Sequence, residues 1–447
     1  MSNIIGLLGI FLAFFIVIFF TYKGFHLAYV VVAAVLVVFV TNGMPILETF
    51  ADPVMTGLAS QVPTLLPLYL FGAIFGKLFI DSGAAHATSR TLLNVLGKNA
   101  DADRRRLVGS FIIIFMNAIF NYVGVDPFAS LFTMIGIATG VMSETDIPRK
   151  YMPVHLVLGT TIGNVFPGSL AVPNILCSNI LGGTSAFSAF IPGLIFVVFV
   201  FGMSMRHINK MVKKDVAAGA HFEYGPLQPP AIDPNNLPPF ILAIIPVIIV
   251  PICFNTVAKS APWAAMAIGC VAGIICFGRY IPKKDGVSRI MTVANSLNDG
   301  VTIAGIPAII LMNYALGYAI EAAPAFETIV KIFTSLPGPA LFSLALMGIL
   351  LLGAAASASG LIIALSVAAS VYIPTLGVSP EAAHRVLLLT NTVLDSLPFC
   401  GAIVALMAIT GISYDEGYPP IGVTTVLYTF LGVMLVTGIL VLFPGLA

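Results

Sequence analysis

The chain has 447 residues, 59% hydrophobic and only 9% charged, against roughly 25% charged in a soluble domain, which excludes a soluble enzyme. The net charge of +1 leaves no basic excess for nucleic acid. A mean hydropathy of +1.04, with repeated apolar runs near the ~20 residues that a crossing needs, places the chain among polytopic membrane proteins.

The run Ile4–Phe20 has no positive charge before it and no small-residue cleavage site after it. It reads as a first spanning helix, not a removable signal. Further apolar stretches lie at about 25–42 and 62–80, the latter opening with Pro63 and Pro67. More follow at about 107–141, 152–172, 186–204, 237–254, 261–278, 300–319, 338–374, 386–411 and 422–444. Two of these, 107–141 and 338–374, are long for one crossing and short for two with a loop. Each is interrupted near its middle, by Asn121-Tyr-Val-Gly-Val-Asp-Pro127 and by Ala356-Ser-Ala-Ser-Gly360. Both read as re-entrant helical hairpins, whose tips need protein or water to satisfy the backbone inside the bilayer.

Basic residues set the sidedness. Lys98 and Arg104–Arg106 precede the first hairpin, and Arg149 and Lys150 follow it. A hairpin that returns to the side it left puts both groups in the cytoplasm, with Lys23, Arg206, Lys210, Lys213, Lys214, Arg279, Lys283, Lys284 and Arg289. Lys259, Lys331 and Arg385 then fall in opposite loops, beside more acids. This predicts both termini outside and a bacterial-type inner membrane.

The order of elements repeats. Leu70-Phe-Gly-Ala-Ile-Phe-Gly-Lys-Leu-Phe-Ile-Asp81 resembles Leu311-Met-Asn-Tyr-Ala-Leu-Gly-Tyr-Ala-Ile-Glu321, and a hairpin follows each. Then come two polar breaks, Thr160-Thr-Ile-Gly-Asn-Val-Phe-Pro-Gly-Ser169 and Thr390-Asn-Thr-Val-Leu-Asp-Ser-Leu-Pro398. The expected fold is all-α, with inverted repeats at 1–204 and 237–447 joined by a linker at 205–236. Each repeat carries a hairpin and a broken helix, the latter at 152–172 and 386–411. Secondary transporters place substrate near the midplane where such broken helices expose backbone dipoles; a single break alone would be a kink.

Asp126 and Asp395 sit in breaks with no Lys or Arg nearby in sequence. A carboxylate at membrane depth is costly and points to function, here cation coupling; for Asp126 a helix N-cap before Pro127 is the structural alternative. His155, one turn before the first break, is a candidate proton relay or a packing histidine. Asn121, Gly124, Thr160, Thr161, Asn164 and Ser169 in the first half could hold a small carboxylate with free backbone N–H groups. So could Ser357, Ser359, Gly360, Asn391, Thr392 and Ser396 in the second. Ordinary back-bonding of Ser and Thr is the alternative. Lys77 and Asp81 are spaced to pair. Asn295, Asn298 and Asp299 read as helix caps, and His26, His86, His207, His221 and His384 lie near loops. Cys177, Cys253, Cys270, Cys276 and Cys400 form no CxxC pair and read as buried hydrophobes. No HExxH, P-loop or dinucleotide fingerprint is present; no cofactor and no enzymatic role are expected.

Phe71-Gly-Ala-Ile-Phe-Gly-Lys-Leu-Phe-Ile-Asp-Ser-Gly83, Leu376-Gly-Val-Ser-Pro-Glu381 and Thr392-Val-Leu-Asp395 together resemble motifs of the gluconate permease (GntP) family, within the ion-transporter superfamily. The resemblance implies a homodimeric elevator carrier of organic anions, with a scaffold and a moving transport domain. In that family a His-Val-Asn-Asp stretch stands where Thr392-Val-Leu-Asp395 stands here, and a His- and Pro-rich stretch stands at the first break. Replacing those polar groups by apolar ones suggests a smaller, less hydroxylated acid than gluconate, such as 3-hydroxybutyrate, carried with H⁺, or with Na⁺ as the alternative. A gluconate or other sugar-acid/H⁺ symporter and an anion channel are the competing readings.

Overall fold

A computed structural model describes residues 2–23, 25, 27–98, 100–125, 127–227, 236–256, 262–283, 286–304, 313–355 and 358–447. Among them there is no strand. In chain order the helices are α1 (Ser2–Tyr22), α2 (Leu27–Thr41), α3 (Ile46–Thr49), α4 (Thr56–Asp81), α5 (Ala84–Leu96), α6 (Ala102–Tyr122), α7 (Pro127–Thr145), α8 (Met152–Val165), α9 (Val172–Leu181) and α10 (Phe190–Ala217). The second half holds α11 (Phe240–Thr256), α12 (Pro262–Phe277), α13 (Arg289–Ala304), α14 (Asn313–Glu321), α15 (Ala325–Thr334), α16 (Ala340–Ala355), α17 (Ala358–Val367), α18 (Ile373–Leu376), α19 (Pro380–Thr390), α20 (Gly401–Thr410), α21 (Tyr414–Ile421) and α22 (Tyr428–Leu442). Among the described residues five helices are long and apolar enough to cross a membrane, and several shorter apolar helices accompany them. Ile4, Leu8, Phe15, Ile248, Ile275 and Leu442 face outward, as lipid-facing side chains do. The chain is a multi-pass membrane protein.

Caps written in the sequence set the key helix starts. Asp101 accepts a hydrogen bond from the Arg104 N–H at the start of α6, and Ser379 accepts one from Ala382 at the start of α19. The stretch 107–141 folds as helix, turn, helix. Its arms α6 and α7 have 21 and 19 residues, about 30 Å each at 1.5 Å per residue, so they run well past the expected boundaries. The base of this pair is closed by Arg106, 3.6 Å from Asp146, so α7 returns to the end that α6 left. Lys213 pairs with Asp103 at 3.1 Å and Lys150 with Asp215 at 2.6 Å, which brings the last turns of α10 and the start of α8 to the same end.

The stretch 338–374 folds as α16 and α17. The Ser343 hydroxyl bonds Tyr372 at 3.1 Å, joining the start of one arm to the far end of the other. This hairpin follows α15, whose first N–H, on Ala325, donates to Asn42 at the end of α2. Helix α4, with 26 residues and about 39 Å long, leads to Asp81. There it turns into α5, where Arg90 meets Glu144 of α7.

Several expectations change. Helix α10 continues to Ala217, so the segment between the halves begins later than 205. Asn295, Asn298 and Asp299 lie inside α13, not at its start. The cap there is Ser288, whose Oγ accepts from Met291 N, because the helix begins one element earlier than the apolar run suggests. Lys77 and Asp81 do pair, at 2.6 Å and buried, and Ser296 of α13 donates to the second Asp81 oxygen. Cys177, Cys270 and Cys400 are buried.

Candidate functional site

Both expected broken helices are interrupted. Between α8 and α9 the chain leaves helical geometry at 166–171, and between α19 and α20 at 391–400. Each break is touched by the hairpin in its own half, the first by the hairpin turn and the second by the end of α16. At the first, Leu170 N–H donates to Tyr122 O at 2.8 Å. A Cβ on Gly124 would come within 2.7 Å of Leu170 O, and its φ of +85° also requires glycine. At the second, a Cβ on Gly353 would strike the Leu394 side chain at 2.2 Å.

The halves then interlock. Helix α9, beyond the first break, packs on α17 and α19, while α20, beyond the second, packs on α7 and α8. The link is made by two side chains expected in loops but lying within α19. Arg385 is fully buried in α19. Its Nε and a terminal nitrogen donate to Ser188 O at 2.9 and 2.6 Å, and the guanidinium also reaches Val165 O at 3.2 Å and Ala186 O at 3.3 Å. His384, also buried, bonds Asn174 Oδ1 at 2.8 Å and Thr184 at 2.9 Å. Asn174 Nδ2 in turn donates to Ser169 O at 2.8 Å. A helix starting at Pro380 puts residues 384 and 385 more than a turn inside, so the Ser379-Pro380 cap was the signal for them. Counting Arg385 as a loop charge overlooked it.

In the first half the expected residues gather between α6 and α8. Asn117, which was not singled out, donates to Leu156 O at 2.6 Å and to Thr160 Oγ at 3.0 Å. Asn121 donates to Asn117 O at 2.8 Å and to Ser130 at 2.9 Å. Among the described residues the buried Oδ1 atoms of Asn121 and Asn164 have no hydrogen-bond partner. Ser169 accepts from Ala171 N, and Thr161 is buried. His155 is buried one turn further back: its Nδ1 contacts Tyr151 O, and its Nε2 lies 2.8 Å from the Ser110 hydroxyl. A carbonyl only accepts, so Nδ1 carries the proton and Nε2 accepts. Both ring nitrogens are thus engaged, Nδ1 on the turn that leads into α8 and Nε2 in tying α8 to α6.

In the second half Thr392 and Ser396 are buried, and Asn391 is half-buried. The Thr392 hydroxyl is spent on Leu389 O at 2.8 Å. Asp395 is exposed at the second break. Among the described residues its carboxylate has no hydrogen-bond or ion-pair partner. Gly360 is buried near the start of α17. Asp126 and Ser357 lie outside the described residues, as does the side chain of Ser359. Asn121 and Thr160 are thus brought together through Asn117, while no hydrogen bond among the described residues links the second-half residues to one another or to the first set.

No protein-family model matches the chain. It is similar to an uncharacterized transporter, YxjC, of Bacillus subtilis, 26% identical over 95% of this chain and 96% of the relative. It is also similar to the Gnt-II system L-idonate transporter of Escherichia coli, 25% identical over 62% of this chain and 64% of the relative. A high-affinity gluconate transporter of Escherichia coli is 26% identical over 50% and 49% respectively. The relatives are named as transporters, a function that is not enzymatic, in agreement with the reading of the sequence.

Proposed function

We propose that this chain is a cation-coupled secondary transporter of a small organic monocarboxylate, a short hydroxy acid such as 3-hydroxybutyrate. The observation that carries this reading is an interrupted helix in each half, the segment beyond each break packing on helices of the other half, with the carboxylate of Asp395 exposed and unpaired among the described residues at the second. Broken helices leave backbone donors and acceptors free to bind an anion and a cation together. A negative-inside potential opposes entry of an anion by about 2.3 kcal/mol per charge per 100 mV, so accumulation needs a co-transported cation. We assign that cation to H⁺, taken up and released at Asp395, because a carboxylate with no fixed positive partner is free to exchange a proton; Na⁺ is the alternative.

The halves are proposed to be inverted repeats. In support, α1 packs on α2 as α11 does on α12, α2 on α14 as α12 on α4, and α6 on α8 as α16 on α19. On this basis about 107–172 and 338–411 form a transport domain that slides past a scaffold of about 1–42, 186–278 and 422–444 in a homodimer, with the basic end in the cytoplasm.

A sugar-acid/H⁺ symporter is the second reading, favoured by relatives named for gluconate and L-idonate. Uptake into proteoliposomes under separate pH and Na⁺ gradients decides between them. The first reading expects labelled 3-hydroxybutyrate to accumulate under a pH gradient and to be displaced by acetoacetate but not by gluconate. Displacement by gluconate without effect of acetoacetate supports the second, and single-channel currents would replace both by an anion channel.

A further inference from the structure

An apolar cavity of about 390 Å³ lies between α6, α8 and α10, well apart from Asp395 in the chain. Phe111, Phe115, Ile119, Tyr122, Phe166 and Phe201 are among its walls. Phe115 and Ile119 are exposed at 51% and 45%, so the cavity opens sideways, toward the bilayer. Along α6 it runs from Phe111 to Tyr122, about 16 Å at 1.5 Å per residue. That is half of a hydrocarbon core about 30 Å thick, the depth of one leaflet.

The end nearest Phe111 is basic. Arg104 and Arg105 precede Phe111 on α6, and Arg206 and Lys210 follow Phe201 on α10. The pairing of Lys213 with Asp103 shows that these two helix ends are neighbours. Asp103 is engaged by Lys213 and Arg106, while among the described residues Arg104, Arg105, Arg206 and Lys210 have no ion pair. An apolar slot one leaflet deep with uncompensated cations at its mouth matches an anionic phospholipid: acyl chain in the slot, phosphate among the arginines. A free anion would have no use for the slot, and a neutral lipid none for the charges.

We infer that the α6–α8–α10 groove is a binding site for one anionic phospholipid. At the closed end the acyl chain abuts Tyr122 and Phe166, whose rings meet at 5.7 Å and which belong to the first hairpin turn and the first break. The site holds whichever acid the protein carries, and its test does not involve transport.

The delipidated full chain in neutral detergent is titrated with phosphatidylglycerol or phosphatidylcholine, and retained lipid is counted by native mass spectrometry. One phosphatidylglycerol per chain should be retained in preference to phosphatidylcholine. Each basic residue near a membrane surface contributes about 1 kcal/mol, or about fivefold. Arg105→Gln with Arg206→Gln should therefore weaken phosphatidylglycerol about 25-fold and leave phosphatidylcholine unchanged. Ile119→Trp, at a lipid-facing position that tolerates bulk, should weaken both lipids. Equal retention of the two lipids by the unaltered chain overturns the proposal, as does retention unaffected by the charge changes. Efficient disulfide cross-linking of Phe115→Cys between two copies, with no lipid retained, would also overturn it and assign the groove to a second copy of the chain.

Discussion

The two breaks are built from opposite materials. The first is the more cross-bonded: Leu170 is bonded to the hairpin, Ser169 to Asn174, and Val165 O to Arg385, while beside it the Oδ1 atoms of Asn121 and Asn164 have no partner among the described residues. The second has Thr392 bonded to its own helix and Asp395 bonded to nothing among the described residues. A break whose polar groups are satisfied by protein is a fixed surface, since each buried donor or acceptor left unmade would cost 1–3 kcal/mol. A break with a free carboxylate keeps its capacity for an outside partner. The contrast assigns rigidity to the first half and exchangeable chemistry to the second.

The largest test of that contrast is Arg385→Met. It removes the Arg385 donors from Val165 O and Ser188 O, two carbonyls at about 1–3 kcal/mol each, and one donor from Ala186 O, which keeps the Gly168 N–H, against a total stability of ~5–15 kcal/mol. The variant should fail to give monodisperse protein after extraction. Arg385→Lys keeps the charge but not the fork, and should be intermediate in melting temperature. A melting temperature unchanged in Arg385→Met would mean that the first break is not held from across the halves.

Asp395→Asn tests the other side of the comparison. It keeps the size of the side chain and removes the titrating group. Gradient-driven accumulation in proteoliposomes should be abolished while exchange of labelled for unlabelled substrate survives. Unchanged dependence of uptake on pH would remove Asp395 from coupling.

Glycine packing gives a finer measure. A Cβ on Gly163 would lie 2.3 Å from the backbone oxygen of Ala118, whereas one on Gly348 would lie 2.7 Å from the Thr390 hydroxyl and 2.8 Å from a Leu387 methyl. Backbone cannot rotate aside and side-chain ends can. Gly163→Ala should therefore cost about 1–3 kcal/mol, the usual range for overpacking, and Gly348→Ala less. Equal shifts in melting temperature would show that both helix pairs are equally stiff.

How much of this was legible in the sequence depends on the range of the interaction. Pro, Gly and capping residues act within a few positions, so the interruptions at 166–171 and 391–400 and the cap at Ser379 could be read directly. The i,i+4 pair of Lys77 and Asp81 could be read for the same reason. What escaped was set by contacts across the chain: Ser296 reaching Asp81, and Arg385 reaching carbonyls about 200 residues away in the sequence. A charge at the edge of an apolar run looks like a loop residue until its partners are known. Asn117 escaped because an amide within an apolar helix has no signature until Thr160 and Leu156 lie opposite.

The smallest effect concerns the strap that follows α10. His221 and the Phe222 N–H both bond Asp146 at the base of the first hairpin, at 2.9 and 3.0 Å, and Tyr224 bonds His86 at 3.0 Å. Partial burial works to raise the Asp146 carboxyl, but the Phe222 N–H, His221 and Arg106 outweigh it and hold the group below its ordinary value of 3.8. A carboxyl held low in the folded state contributes its full stability above its unfolded pKa. It loses that contribution as pH falls through the lower folded value. Hydrogen exchange at Phe222 should therefore be insensitive to Asp146 protonation near neutral pH and should gain an acid-driven opening only below about 4. Asp146→Asn should open the same segment at neutral pH by less than about 1 kcal/mol, as befits a half-exposed ion pair. Because this strap joins α10 to the hairpin base, protection at Phe222 that drops when substrate is added would mean that the first half, for all its internal bonding, moves as a unit against α10.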